Sequence, residues 1–228
     1  MAHFGFYAWP AVAILMIFII LNRSEHRKRL FVIYSILSAV WLAYVFLLSQ
    51  SGLLLSFSLP PKIPLFIVAP AVVAITIITG TKGFRHLLES TPVSLPIYLQ
   101  SFRIVVELLI YGAFLNGVFP QKATFEGLNF DILVGLSAPV AGYLYQRRRL
   151  SDMGLLVWNV VSLIILSVTV YSFISTYYFT DYVRTVGNTN FVQMPYLLLA
   201  SVLLPVAVFL HIFSLRQLKM QLALIHVK

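Results

Sequence analysis

The chain reads as an all-α, polytopic transmembrane helix bundle of seven spans, with its N-terminus outside and its C-terminus cytoplasmic. Three observations predict this. Hydrophobic residues make up 60% of the 228 and charged residues only 10%, a balance with too little polar surface to cover a water-soluble core. The apolar residues fall into long runs, each near the roughly 20 residues that a hydrocarbon layer of about 30 Å requires of a helix. Lysines and arginines alternate between sparse and rich connecting loops, as they do when basic residues resist translocation.

The spans fall at about residues 3–21, 30–48, 63–80, 95–118, 130–145, 153–176 and 195–215. The first run, His3 to Leu21, has no basic segment before it and no small-residue cleavage site after it, and Arg23, Arg27, Lys28 and Arg29 follow at once. It is therefore a retained span and not a signal peptide. With the N-terminus outside, the inner side holds Arg23, Arg27, Lys28, Arg29, Lys82, Arg85, Arg147, Arg148, Arg149, Arg216, Lys219 and Lys228, and the outer side holds Lys62, Lys122 and Arg184. That bias places most of the net charge of +9 against anionic headgroups. The clusters are short and sit beside spans, which opposes nucleic-acid binding. Residues 1–228 form one membrane domain, with no room for a separate soluble one.

Tyr7, Trp9, Tyr177, Tyr178 and Tyr182 fall near span ends, where rings with one polar atom favour the headgroup level. Residues 216–228 form a cytoplasmic amphipathic tail: Leu215, Leu218, Leu222 and Ile225 share a face. They fit a helix on the inner leaflet or a continuation of span seven. Segment 81–89, with Phe84, Leu87 and Leu88 among Lys82, Arg85 and Glu89, fits an interfacial helix in the same way.

Span four carries most of the chemistry. Gln100, Arg103 and Glu107 recur at i, i+3 and i+7 on one face, and Tyr111 continues the stripe. Arg103 and Glu107 are spaced to neutralise each other along the helix. Glu107 lies about 18 Å of helix rise from the span ends, so it must face the bundle interior. Two roles fit: a ligand- or proton-binding centre, or an ion pair that fixes packing.

Span five runs from Phe130 to Tyr143 and contains Gly135 and Pro139. Pro139 cannot donate to the Gly135 carbonyl, so a bend there frees an acceptor of the kind that transporters use. Alternatively, Gly135, Ser137, Ala138, Ala141 and Gly142 admit a close neighbour. Before the span, Glu126, Asn129 and Asp131 gather at the outer mouth, where with Asp181 they can attract a cation. Asn129 and Asp131 also suit an N-cap and a first-turn acid. Glu126 has no such duty and is a candidate contact for Arg103, Arg184 or a ligand.

Gln100–Glu107, the run Phe125 to Asp131 and the stretch Gly135 to Pro139 resemble an uncharacterised family of bacterial multi-pass, seven-helix membrane proteins. The resemblance covers about residues 95–140. It implies the bacterial inner (cytoplasmic) membrane and supplies no activity, substrate or catalytic residue.

Several functions are opposed. A retinal protein needs a lysine in the last span, and Pro195 to Leu215 contains none. Metal hydrolysis or intramembrane haem needs several ligands at one depth, whereas His26, His86 and His226 lie outside spans and His211 stands alone, best read as interfacial near the end of span seven. The absence of cysteine excludes disulfides and thiolate-held cofactors. No catalytic residue, metal ligand or cofactor is assigned. Ser38, Ser101, Ser137, Ser162 and Ser167 lack a nucleophile signature.

Small-solute or proton-linked transport is the leading reading. Its alternatives are a non-catalytic sensor or subunit with a membrane protein partner, and a lipid-acting intramembrane enzyme. Prolines add weak support for transport: spans one, two and three hold Pro10, none, and Pro64 with Pro70, while spans five, six and seven hold Pro139, none, and Pro195 with Pro205. Two three-helix units joined by span four fit that pattern.

Overall fold

In the computed structural model, which describes residues 2–225, the chain is all-α, and no strand occurs among the described residues. Every interval expected to span holds a helix, but not every helix is long enough to cross. Five are long and apolar enough: His3–Leu21, Arg27–Gln50, Ser94–Leu115, Asp152–Tyr178 and Leu199–Ala223. A sixth arises if Pro64–Gly80 and Lys82–Ser90, bent by 80° at their junction, count as one span. The remaining helix has 16 residues, about 24 Å of rise against a layer of about 30 Å.

α1 (Ala2–Leu21) and α2 (Arg27–Gln50) form a hairpin. It is held by edge-on contact of Phe18 with Phe31 and Tyr34, and by Tyr34 Oη donating to Ile14 O at 3.1 Å. The outward face of α2 is apolar and exposed at Val32, Ile36, Leu37, Val40 and Leu47, which a lipid solvent tolerates and water does not.

A five-residue π turn, Pro64–Val68, leads into α3 (Ala69–Gly80), and a second, Leu199–Leu203, leads into α10 (Leu204–Ile225). Each is followed at the second α-helical position by a proline, Pro70 or Pro205. A proline has no amide for the carbonyl four residues earlier, here Phe66 and Ser201. Helix α2 supplies donors to both: Tyr44 Oη to Phe66 O at 2.8 Å and Trp41 Nε1 to Ser201 O at 2.7 Å. Spans three and seven thus share a local construction around Pro70 and Pro205, and their π turns pack together.

α4 (Lys82–Ser90) turns away from α3, burying Leu87 and Leu88 and leaving Arg85, His86 and Glu89 outward. Phe84 meets Phe209 and Phe213 edge-on. α5 (Ser94–Leu99), a 3-10 turn (Gln100–Phe102) and α6 (Arg103–Leu115) make up span four. α7 (Asp131–Gln146) packs on α5, α6 and α8 (Asp152–Tyr178). Ser151 caps α8 by accepting from Gly154 N at 3.1 Å. A short α9 (Tyr182–Val186) precedes α10.

Of the two readings of the segment after Leu215, continuation of span seven is the one seen: α10 runs without a break to Ile225, Gln217 Nε2 donates to Leu88 O and Thr91 O at 2.9 and 2.6 Å, and Leu218 is fully buried. His226 and Lys228 lie outside the described residues. Tyr177 and Tyr178, at the end of α8, turn inward and not outward: both are buried, Tyr177 stacked on Phe191 and Tyr178 accepting from Ile63 N. Helix α7 runs through Pro139 as uninterrupted helix.

The start of α7 positions the site. Asp131 lies beside Arg103, inside the bundle, and the preceding loop descends to meet it, burying Phe119, Ala123, Thr124 and Asn129. Irregular backbone at such depth needs protein around it. Phe119 provides this by packing edge-on against Phe6, Phe173, Phe191 and Tyr196, and Asn188 Nδ2 donates to Val118 O at 3.0 Å.

Candidate functional site

Arg103 is 1% exposed, Glu107 1%, Asp131 4% and His211 0%, so each charge needs a partner within the protein. The ion pair of Arg103 is with Asp131 and not with Glu107. Arg103 Nε donates to Asp131 Oδ2 at 2.5 Å and Nη2 donates to Oδ1. A two-pronged contact of this kind matches the planar fork of the guanidinium. The third prong, Nη1, lies 3.1 Å from His211 Nε2.

The next hydrogen bonds fix the state of His211. Asn159 Nδ2 donates to Leu155 O and Ser214 Oγ, both at 3.0 Å, so its Oδ1 is an acceptor facing His211 Nδ1 at 2.9 Å. Nδ1 therefore carries the proton, and Nε2 accepts from Arg103 as the neutral imidazole. His211 is the base of this network, which overturns its reading as an interfacial side chain.

Glu107 is held from the other side. Asn129 Nδ2 donates to Glu107 Oε2 at 2.6 Å and to Ala123 O at 3.0 Å, while Asn129 Oδ1 accepts from Asp131 N at 3.1 Å and Thr169 Oγ1 at 2.7 Å. All the hydrogen-bonding positions of this amide are filled. The expected N-cap role of Asn129 is not met: Phe130 stands at the N-cap of α7 without a side-chain cap, and the bond from Asp131 N closes a turn one residue earlier. The expected dipole role of Asp131 is secondary to its pairing with Arg103. One connected network thus runs from Glu107 through Asn129, Asp131, Arg103, His211 and Asn159 to Ser214, drawing on α6, α7, α8, α10 and the descending loop.

Gly135 and Gly142 make this approach possible. A Cβ on Gly135 would lie 2.9 Å from the Ile104 backbone nitrogen, and one on Gly142 would lie 2.9 Å from the Tyr98 ring. Gly135 is one turn after Asp131, so its missing side chain lets α7 reach α6 where Arg103 projects. Pro139 touches none of the charged groups through a hydrogen bond; its helix serves the site by packing. Trp158 Nε1 to Ser137 Oγ, 3.1 Å, ties that stretch to α8.

The other expected residues lie apart. Gln100 is buried and donates to Ala207 O at 3.1 Å, and its Oε1 meets no donor. Tyr111 donates to Glu126 Oε1 at 2.8 Å in an exposed pair beside Gln121, so Glu126 contacts neither Arg103 nor Arg184. Arg184 faces Asp181 at 3.5 Å, both exposed. Asn159, Thr169 and Ser214 were not singled out from sequence. A signal existed on α8: Asn159, Ser162, Thr169, Ser172 and Thr176 recur at helical spacing and all are buried.

A cavity of about 70 Å³ adjoins the network. Arg103, Glu107, Asp131 and Thr169 form its polar floor, and its walls are apolar residues of both π turns, α6, α8 and α10. Tyr178 Oη accepting from Ile63 N at 3.3 Å closes one end. Pro64 and Val68 on one flank and Val170 and Ile174 on the other are only half-buried. Among the described residues no three His, Asp or Glu side chains converge to hold a metal ion. No protein-family model, curated protein or solved structure matches the chain.

Proposed function

We propose that the chain is a seven-span protein of a bacterial cytoplasmic membrane, N-terminus outside and C-terminus inside, that moves a small solute or a proton through a centre built on Arg103, Glu107 and Asp131. The observation that carries this reading is a cavity lined by Glu107 together with Arg103, Asp131 and Thr169, where Glu107 Oε2 accepts from Asn129. A carboxylate sheltered purely for packing has no need of an open approach. The π turns that wall the cavity are helix irregularities of the kind found at functional sites.

The network also supports a second reading. Arg103, Asp131 and Asn129 are so fully satisfied within the chain that they suit a rigid scaffold for a sensor or a subunit of a complex, with the exposed face of α2 meeting lipid or a partner helix. An enzyme acting on lipid is the least supported, because Asp131 and His211 beside Arg103 are both engaged by the guanidinium.

Proteoliposomes carrying the protein, assayed for flux of protons and of small charged and neutral solutes under a pH gradient, test the transport reading. Wild type should give flux that Glu107→Gln abolishes while Glu126→Gln does not. Absent flux rejects transport in favour of the scaffold, and flux equal in the Glu107 variant rejects the Glu107 centre.

A further inference from the structure

We infer that the solute is a slender lipophilic amine that enters the cavity from the acyl layer, between span three and α8, and docks its ammonium on Glu107. The inference deepens the transport reading by naming its substrate class.

Charge comes first. One guanidinium faces two carboxylates across the floor, and His211 is held in its neutral form by Asn159, so the cluster carries a formal excess of one negative charge when both acids are ionised. The excess sits on Glu107, because Asp131 is engaged on both oxygens by Arg103. An anion would have to displace Asp131 from the guanidinium. A cation needs only to approach Glu107, which lines the cavity and is not paired with Arg103, and it also cancels the excess.

Shape decides the rest of the molecule. The cavity volume of about 70 Å³ is about half that of an apolar cavity of about 150 Å³ that takes one benzene ring, so it admits the first methylenes of an unbranched chain and not a ring. The flanks at Val68 and Val170 give onto apolar exposed neighbours, Leu65 and Tyr171, so a longer chain leaves the protein directly into lipid. Arg103, the floor's cation, is turned from Glu107 by its bonds to Asp131 and His211.

Photolabelling tests this without any flux measurement. The full chain in phosphatidylcholine nanodiscs is exposed to dodecylamine carrying a diazirine several methylenes from its amine, at the level of the rim, and to the matching carboxylic acid and alcohol. The amine should label α8 near Val170 and the Pro64–Val68 turn, be competed by plain dodecylamine, and exceed both analogues by about tenfold, the worth of one charge-assisted contact. Glu107→Gln should remove that preference. Val170→Trp, which fills the rim and leaves the network intact, should remove the labelling and stands as the test should the Glu107 variant fail to fold. Equal labelling by acid or alcohol, or undiminished labelling of Val170→Trp, overturns the inference. Amine labelling without flux would reject transport and keep the site; Glu107-dependent flux of another solute without amine labelling would do the reverse.

Discussion

Trp41 donates its indole N–H to the Ser201 carbonyl at 2.7 Å, the oxygen whose ordinary helical partner is missing because Pro205 has no amide. The contact joins residues 160 positions apart and compensates a defect that the last helix contains by its own sequence. Tyr44 does the same for Phe66 and Pro70.

Trp41→Phe removes the donor together with part of the indole's bulk, so it should destabilise the protein by at least about 1–3 kcal/mol, the cost of a buried acceptor left unmade. In a Pro205→Ala background, where an amide returns, the same substitution should cost less. Thermal unfolding of the four proteins in detergent checks this, and equal losses in both backgrounds would refute the link to proline.

Removing one partner of the buried Arg103–Asp131 pair leaves an uncompensated charge. Asp131→Asn or Arg103→Gln should each cost about 3–5 kcal/mol, whereas Arg103→Met combined with Asp131→Leu should recover much of the loss. Size-exclusion profiles and melting curves of the single and double variants measure the difference. A double variant worse than either single one would contradict a simple pair.

Gly135→Ala places a methyl 2.9 Å from the Ile104 backbone nitrogen, forcing α7 off α6 at the site, and should cost about 1–3 kcal/mol as overpacking does. Gly83 in α4 has nothing within 4 Å of an added Cβ. There Gly83→Ala should be neutral or stabilise by up to about 1 kcal/mol. Melting temperatures of the two variants should therefore move apart.

His211→Leu strips a partner from both Arg103 Nη1 and Asn159 Oδ1, and should cost about 2–4 kcal/mol as two buried groups go unpaired. His211→Gln offers a donor and an acceptor in similar positions and should restore part of it. Denaturation of the two variants side by side decides whether the imidazole bridges these groups or only fills space.

Much of this arrangement was legible from residue spacing. The stripe of Gln100, Arg103 and Glu107 was readable because a helix repeats every 3.6 residues, and their burial followed from the cost of charge in lipid. Gly135 and its small neighbours were readable as a packing face. The partner of Arg103 was not: spacing along one helix nominates Glu107, while the actual carboxylate comes from a segment 28 positions on. Hydropathy marks 130–145 as apolar but carries no depth, so nothing disclosed that α7 begins at the level of Arg103. His211 stood alone in sequence because its two partners come from α6 and α8.

The shortness of α7 has a consequence for biogenesis. A 16-residue segment headed by a carboxylate is a poor substrate for autonomous insertion by a translocon, since neither its length nor its first residue favours hydrocarbon. In the proposed seven-span topology its entry follows that of its neighbours, drawn by the Arg103 guanidinium on the helix synthesised just before it.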